Sequence, residues 1–390
     1  MDNAPLNSQY IGEFQREAVY SADVTEEIII LFFKEFYNMQ KKIIALAVAA
    51  AFVVPAVSYA AADVYGIAHV SIDVVNDGME TSSSSSANQL NSNRSRVGLK
   101  GSEDLGNGLS ADWQMEGTVG MDAGGFALDR NTYIGLNSAD MGTVRLGRHD
   151  TPYKIATRGL DVFKDTQADN RDSGMLFGMD LRLNNVIAYI SPDMSGLTVL
   201  AASTFDAESP SAAPNDKKAT VLSASGIYNR DNINASLSIQ NIKFGSSATY
   251  GTGSNLAGAG AAVDDETNAI KLGGGYMIDQ FTLNAFVEMG KHKTAAVGAT
   301  PSSEDKGTNV YVGGKFAVSD SDTVKLAYTL RGESETDGVK NADKASQVSV
   351  GYDHSMSANT SVYALYSKVT EDATGAADPS IVSLGVKHSF

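Results

Sequence analysis

The residues best suited to chemistry in this chain are five histidines, which could transfer protons or bind a metal ion. They are scattered singly, with none paired at the spacing of metal ligands: His69, His149, His292, His354 and His388. The chain has no cysteine, no G-x-S-x-G elbow and no P-loop. The sequence therefore predicts no catalytic residue, metal site or cofactor, although a Ser-His hydrolase assembled only in three dimensions stays open.

The chain is strongly acidic. Its formal charge is −16, and the part after Ala60 carries 26 Lys and Arg against 39 Asp and Glu, which gives −13. Nucleic acid is excluded as a partner because phosphate binding needs a basic surface. No apolar run after Ala60 approaches the roughly 20 residues of a membrane-spanning helix. An exported soluble protein and a transmembrane β-barrel remain.

Strands must position the polar side chains, because apolar residues recur with period two along most of the chain. In Asp63–Val75, for example, Val70 and Ile72 alternate with Ser71 and Asp73. The same alternation appears in Leu109–Val119, Ile233–Gln240, Phe281–Met289, Thr323–Arg331 and Ile381–Phe390. Such strands, about nine to eleven residues long, exceed the usual length in a soluble sheet and match the length that crosses a membrane.

The connections alternate between short turns and long polar segments. The turns are rich in Gly, Asn, Asp, Pro and Ser: Gly106–Gly108, Ser138–Asp140, Pro192–Gly196, Arg230–Asn232, Asp279–Gln280, Ser319–Asp322 and Ser355–Asn359. The long connections are Asn76–Asn93, Thr151–Gly178, Asp206–Lys217, Gly245–Glu266, His292–Gly307, Glu333–Asp343 and Thr370–Pro379. This rhythm is typical of a meander that crosses a membrane, with tight turns on one side and larger loops on the other.

These patterns predict an all-β fold, a sixteen-stranded antiparallel transmembrane β-barrel between Val64 and Phe390. Two weak segments, Lys218–Asn229 and Ile270–Ile278, leave fourteen or eighteen strands open. A closed barrel pairs every backbone group in lipid, and sixteen strands enclose a water-filled lumen. A soluble sandwich or lipocalin-like barrel is the alternative. The chain ends on an aromatic residue at the end of a strand, which favours the membrane barrel.

Alternation also sets the direction of several cationic side chains. Val97 and Leu99 point one way, so Arg96 and Lys100 point the other way, into water. Arg182 likewise opposes its apolar neighbours. An arginine on the lipid face costs about 2–4 kcal/mol at the midplane, which favours the inward direction.

Several motifs, taken in their order and spacing, resemble those of Gram-negative general porins. They are Ala62–Gly66, Ser95–Gly101 followed by Glu103–Leu109, Arg130–Leu136, Gly142–Arg148 with Thr151-Pro152, Arg182–Asn185 with Tyr189, Ser191-Pro192 and Gly196, and the terminal Phe390. The resemblance runs from about Asp63 to Phe390. It implies a passive channel of the Gram-negative outer membrane for ions and small hydrophilic solutes, with no enzymatic activity.

The resemblance also implies a constriction. In such porins the third external loop folds inward, and here that loop is residues 151–178. Its acidic residues are expected to face a cluster of wall cations: Asp161, Asp165, Asp169 and Asp172 on the loop, and Arg96, Lys100, Arg130 and Arg182 on the wall. Only the resemblance places Arg130 inside, because it shares the phase of Ile134 and Leu136. Opposed charges across a narrow aperture would filter solutes by size and charge.

Purely structural roles stay open for these residues. The arginines could simply hold the loop, and individual loop aspartates could be solvated turn residues. Ion selectivity also stays open, since the net charge suggests cations whereas the arginine cluster suggests anions. A substrate-specific channel, or a surface receptor or adhesin barrel, is the alternative function.

The family resemblance implies several partners. They are two further copies in a homotrimer, outer-membrane lipid and lipopolysaccharide, and a barrel-assembly machinery that reads Phe390. The second external connection, Gly120–Gly125, is short, whereas in many trimeric porins this loop latches onto the neighbouring subunit. We therefore expect trimer contacts to come from the barrel walls.

The N-terminal region predicts export. Residues 39–60 have two lysines, an apolar core and small residues before a cleavage site near Ala60 or Ala62, the layout of a signal peptide. Signal peptides begin at the initiator methionine, and residues 1–38 carry a net charge of −5, which is unlike a positive n-region. We interpret 1–38 as an upstream extension, with translation starting at Met39 and the barrel occupying 61–390.

Overall fold

The computed structural model describes residues 62–78, 86–204, 219–244, 265–296, 301–373 and 376–390. Within them one antiparallel sheet forms a barrel wall of sixteen strands, as predicted. The strands are β1 (Ala62–Asn76), β2 (Ser86–Ser92 and Arg96–Gly106), β3 (Leu109–Val119), β4 (Phe126–Ala127 and Thr132–Ser138), β5 (Gly142–Asp150), β6 (Arg182–Ile190), β7 (Leu197–Thr204), β8 (Thr220–Arg230), β9 (Ile233–Lys243), β10 (Glu266–Ile278), β11 (Phe281–Thr294), β12 (Ser303–Ala317), β13 (Asp322–Arg331), β14 (Ala345–Ser355), β15 (Thr360–Glu371) and β16 (Ser380–Ser389).

The sheet closes on itself because its first and last strands pair. On one side β1 pairs with β16, from Ile67 opposite Ser389 to Asn76 opposite Ser380. On the other side β1 pairs with both segments of β2. Closure leaves no free edge among the sixteen described wall strands, which satisfies their backbone groups in a hydrocarbon environment. The two segments with weak sequence patterns form β8 and β10.

Side chains alternate between the two faces of the wall. On β1, Ile72 is 60 % exposed whereas the adjacent Asp73 is fully buried. The same alternation on β13 leaves Leu326 exposed on the outer face and Ala327 buried on the inner face. The outer face therefore presents the apolar band that meets lipid, and the polar side chains point into the barrel.

Two wall strands are interrupted near charged residues. Between Val70 opposite Ser92 and Ile67 opposite Arg96, β2 contains one residue more than β1. Arg94, in this interruption, has a φ of 56°. In β4, residues 128–131 form a bulge between its two segments, and Arg130 and Asn131 both bond to the backbone of Glu116 there. Such bulges redirect side chains, so simple alternation fails locally.

The turns match the sequence predictions, whereas several strands are longer than predicted. β11 and β12 continue to Thr294 and from Ser303, which shortens the predicted His292–Gly307 connection to 295–302. Charged residues occupy both faces there, so the apolar period that marks a strand disappears. A two-segment hairpin, Glu335–Thr336 with Val339–Lys340, lies in the connection after β13. Within the described ranges no helix is long and apolar enough to cross a membrane.

Candidate functional site

The connection between β5 and β6, residues 151–181, packs inside the barrel. It begins with helix α1 (Pro152–Thr157), whose first turn is capped by Thr151. The following apolar residues pack against inward-facing side chains of the wall. This cluster contains Leu160, Val162, Phe163, Ala168 and Leu176 of the loop with Phe286, Tyr311, Ala327, Tyr363 and Leu365 of the wall.

Both ends of the loop bind two neighbouring buried residues of the wall, Glu288 and Lys271. Tyr153 Oη, near the start, donates to Glu288 Oε1 at 3.0 Å, and the Phe177 N–H, near the end, donates to Glu288 Oε2 at 3.0 Å. Lys271 Nζ donates to Asp180 Oδ1 at 2.8 Å, again at the end of the loop. Charge-assisted bonds in a dry environment are stronger than neutral ones, so this group fixes where the loop lies.

The middle of the loop is held by two neutral contacts. The Val162 N–H donates to Tyr311 Oη at 2.9 Å, and Asn284 Nδ2 donates to the Leu160 carbonyl at 2.8 Å. Gly273 on β10 lets the Leu160 side chain approach, since a Cβ at this position would overlap it. The loop therefore lies against the inner face of β10 to β12.

An ion-pair network joins the loop to the wall on another side of the lumen. Arg96 Nη1 on β2 lies 3.4 Å from Asp165 Oδ2 on the loop. Arg158 Nη2, also on the loop, lies 2.8 Å from Asp165 Oδ1 and 2.6 Å from Asp169 Oδ2. The network has ten members: Arg94, Arg96, Arg130, Arg158, Arg171, Glu116, Asp161, Asp165, Asp169 and Asp172. Its formal charges cancel when all ten are ionised.

The predicted wall arginines find different partners. Arg96 contacts the loop acid Asp165. Arg130 pairs with Glu116 on β3, and Arg182 Nε lies 2.9 Å from Asp150 Oδ1 on β5. Within the described part of the chain, neither of these two arginines pairs with a loop acid. Arg130 and Arg182 therefore pair with wall carboxylates, and their place in the constriction stays a prediction.

The fourth predicted cation lies apart from the network. Lys100 is exposed, and its Nζ lies 5.3 Å from the centroid of the Tyr65 ring. No carboxylate of the described residues lies within ion-pair distance of it. Lys100 shares one face of the wall with Tyr65, whose Oη donates to Glu116 Oε2 at 2.9 Å.

The four predicted loop acids fall into two groups. Asp165 and Asp172 reach wall arginines, Arg96 and Arg94 respectively. Asp161 and Asp169 turn into the loop instead. Asp161 accepts from the N–H groups of residues 163 and 170 at 2.9 and 3.3 Å, and Asp169 is paired with arginines 158 and 171.

The two inward-turned acids have opposite pKa shifts. Burial, together with the neighbouring Asp169 carboxylate, raises the pKa of Asp161 to about 6. Burial also opposes ionisation of Asp169, but Arg158 and Arg171 outweigh it and lower the pKa of Asp169 to about 2. The network is thus fully ionised only above about pH 6.

Four of the ten network residues are absent from the sequence prediction: Arg94, Glu116, Arg158 and Arg171. Asp150, the partner of Arg182 outside the network, is absent from it as well. Glu116 carries a usable sequence pattern, since it shares the polar face of β3 with Gln114. Arg94 and Arg158 lie in an interruption and in a loop, where no period exists to set their direction. Asp150 ends β5 directly before the loop.

The chain terminus closes the barrel seam. The Gly66 N–H donates to the Phe390 carbonyl at 2.9 Å, and the Phe390 N–H donates to the Gly66 carbonyl at 3.1 Å. The aromatic ring covers Gly66, where a Cβ would overlap it. Phe390 is 55 % exposed, on the outer face.

Comparisons with known proteins agree with this architecture. A family model described as Gram-negative porin matches residues 45–374. Outer membrane porin protein 32 of Delftia acidovorans is 30 % identical over 338 residues, covering 83 % of this chain and 88 % of that protein. An outer membrane porin protein of Bordetella pertussis is 29 % identical, over 76 % of this chain and 83 % of that protein. The structure of the anion-selective porin from Comamonas acidovorans superposes with a TM-score of 0.68 at 24 % identity, covering 85 % of this chain and all of that one. The chain therefore belongs to the Gram-negative porin family.

Proposed function

We propose that residues 151–181 and the ten-residue network form the filter of the diffusion channel that this porin provides across the outer membrane. The carrying observation is the contact between Arg96 on the wall and Asp165 on the loop. The loop is anchored on β10 to β12 and reaches β2 across the barrel interior. Such a loop narrows the water-filled path to the space beside it.

The filter acts physically. Guanidinium and carboxylate groups fixed on opposite sides of a narrow path create a transverse field. A small polar solute aligns with this field and stays partly hydrated, whereas a bulky or apolar solute loses its hydration without compensation. Passage is passive and follows the solute gradient.

Liposome swelling with sugars of graded size tests this proposal. We expect rapid entry of small sugars and a sharp size cutoff. Asp165→Ala, which frees one edge of the loop from Arg96, should raise the cutoff. Wild-type liposomes that do not swell would refute the channel, and an unchanged cutoff in Asp165→Ala would refute the filter. The long connections that could serve a receptor or adhesin, residues 205–218 and 245–264, lie outside the described residues.

The channel is proposed to work as a homotrimer in contact with outer-membrane lipid and lipopolysaccharide, with Phe390 read by the barrel-assembly machinery. The apolar outer wall supports such packing, and the connection after β3 is short. Native gels after mild detergent extraction distinguish a trimer from a monomer. A monomer at all detergent concentrations would refute the trimer.

The mature chain is proposed to begin after a signal peptide at residues 39–60, with residues 1–38 untranslated. These segments lie outside the described residues, and the support is the sequence alone. Mass spectrometry of the mature N-terminus should find cleavage near Ala60 or Ala62. Any peptide from residues 1–38 in cells would contradict the start at Met39.

A further inference from the structure

The charged network at the loop cannot by itself favour one sign of ion. Five guanidinium groups and five carboxylates cancel, so a passing ion meets dipoles and no net charge. The net charges of two smaller clusters nearby, one positive and one negative, also cancel. Asp150 is shared by Lys154 and Arg182, and Lys271 is shared by two carboxylates, those of residues 180 and 288. Ion preference must therefore come from lumen-facing charges outside these clusters.

Such charges are present, and they are lysines. Lys315 on β12, Lys387 on β16 and Lys164 on the loop have no carboxylate within ion-pair distance in the described part of the chain. On β12 the inward direction of Lys315 follows from its phase with buried Tyr311, because Val312 between them points outward. We call Lys164, Lys315 and Lys387 the lysine group.

The sheet register brings these lysines close to one another. Lys315 lies directly opposite Lys325, and Asp353 on β14 pairs with Lys325 alone. Like charges directly opposite on neighbouring strands are unfavourable, so this placement is costly to the wall. Lys387 lies opposite His69 on β1, two residues from the position that faces Arg96.

The lysines of this group lie close enough to repel one another. Lys387 repels Lys164 and Lys315, and the carboxylates that attract it, Asp165 and Asp353, already have cationic partners. Lys315 and Lys387 both lie on the half of the wall nearest the short turns, Lys315 two residues before the end of β12 and Lys387 near the C-terminus. The group therefore lines the path on the short-turn side of the loop.

Two carboxylates of β1 do not cancel this charge. Asp63 lies opposite Lys100 in the register of β1 and β2, so the formal charges of these two residues sum to zero without an ion pair between them. Asp73 is fully buried and accepts hydrogen bonds from Ser71 and Asn91, on the opposite half of β1.

We propose that this channel prefers small anions such as chloride, phosphate and short carboxylates, and that the lysine group carries this preference while the arginines act as neutral ion pairs. The proposal rests on the proposed channel function and assigns the selectivity that function leaves open. The overall charge of −16 does not decide it, because charges outside the lumen are screened over about 8 Å at physiological ionic strength. A lysine about 8 Å from a passing ion, with its field screened over that distance, changes the local ratio of anions to cations about twofold.

Reversal potentials in a potassium chloride gradient across a planar bilayer test the proposal. The wild type should be anion-selective. Each of Lys164→Gln, Lys315→Gln and Lys387→Gln should lower the anion-to-cation permeability ratio about twofold, and the triple variant should lose the preference. The three Lys→Arg variants keep the charge and should keep the preference.

Two control variants separate the effect of unpaired lysines in the lumen from the effects of the total charge and of paired charges. Lys340→Gln removes the same charge from the exposed hairpin after β13, where the side chain is 74 % exposed, and should leave the ratio unchanged. The double variant Arg145→Gln with Asp112→Asn removes a neutral lumen pair whose atoms lie 2.8 Å apart, and should also leave it unchanged. A cation-selective wild type, or a triple variant with an unchanged ratio, would overturn the assignment while leaving the channel intact. A wild type without conductance would overturn the channel and the assignment together.

Discussion

Lys271 on β10 and Glu288 on β11 are both fully buried, with Nζ and Oε1 3.2 Å apart on the inner face of the wall. Both ends of the loop bind this pair. Tyr153 and Phe177 donate hydrogen bonds to Glu288, and Asp180 accepts one from Lys271. A buried ion pair is costly to desolvate and stabilises only when its remaining positions are satisfied. Here the loop itself supplies these partners, so wall and loop stabilise each other.

Glu288→Ala should release both ends of the loop. It leaves Tyr153 and Phe177 without their acceptor and Lys271 with one carboxylate, at a cost of about 3–5 kcal/mol. We expect a lower apparent melting temperature in detergent and larger, noisier single-channel conductance. Glu304→Ala is the matched control, since Glu304 pairs with Lys291 at 2.9 Å on an exposed part of β11 and β12. Surface pairs contribute at most about 1 kcal/mol. Equal losses of stability in the two variants would therefore show that the buried Lys271–Glu288 pair does not hold the loop.

A pH dependence follows from Asp161. Because burial raises the pKa of this carboxyl to about 6, lowering the pH from 7 to 5 protonates it and removes one negative charge from the network. The groups that face it are Arg158 and Asp169 on the loop and Tyr311 and Lys315 on β12. We expect the anion-to-cation permeability ratio to rise about twofold over this interval.

Asp161→Asn separates this carboxyl from other titrating groups. Asparagine keeps one acceptor oxygen for the backbone of the loop but carries no charge. The variant should show at pH 7 the ratio that the wild type reaches at pH 5, with little further change on acidification. A shift of the same size in both proteins would assign the titration to another residue.

Alternation in the sequence predicts the barrel and the inward direction of Arg96, because a one-residue shift would move the apolar set of a strand to the wrong face. It fails at Arg130, because the bulge at residues 128–131 inserts extra residues between the two segments of β4, and the phase of Ile134 no longer applies. It also cannot choose ion-pair partners. Arg182 meets Asp150 because the register of β5 and β6 sets them opposite each other, and that register depends on contacts distant in sequence.

The same limit explains the lysine group. Lys315 and Lys387 each sit in an alternating strand, so their direction was available from the sequence. Their lack of a carboxylate partner was not, because it depends on which of many acidic residues the closed sheet brings near. The loop is harder still. Residues 151–181 have no regular apolar period, so their sequence does not indicate that the Asp161 side chain turns into the loop itself while Asp165 reaches Arg96 on the wall.

Phe390 allows packing and recognition to be separated. Phe390→Ala removes the ring over Gly66 but keeps both backbone bonds of the terminus. If the assembly machinery reads this residue, the variant should refold in detergent micelles with wild-type yield yet accumulate poorly in the outer membrane of cells. Phe390→Tyr is the control and should assemble normally. Equal refolding defects in micelles would assign Phe390 to packing at the seam instead.

Arg158 pairs with three acids of the loop. Its guanidinium group forms close ion pairs with Asp165 and Asp169 and lies 4.0 Å from Asp161. Arg158→Ala should cost about 3–5 kcal/mol at pH 7, since it leaves the buried Asp161 without a cation and leaves Asp165 and Asp169 with one cation fewer. In the wild type Arg158 and Arg171 lower the pKa of Asp169 to about 2, so this acid contributes stability above its unfolded pKa near 3.8 and loses it as the pH falls toward 2.

In Arg158→Ala the sign reverses. Without Arg158, the remaining arginines offset less of the burial and the pKa of these carboxyls rises, so protonation at pH 5 relieves part of the repulsion that persists at pH 7. The apparent melting temperature of the variant should therefore rise from pH 7 to pH 5. The wild type should change little over the same interval, apart from the protonation of Asp161. Arg171→Ala, which removes a partner only from Asp169 at 3.2 Å, should lose less stability at pH 7. A variant equally destabilised at both pH values would show that the loop depends on the packing of the Arg158 side chain and not on its charge.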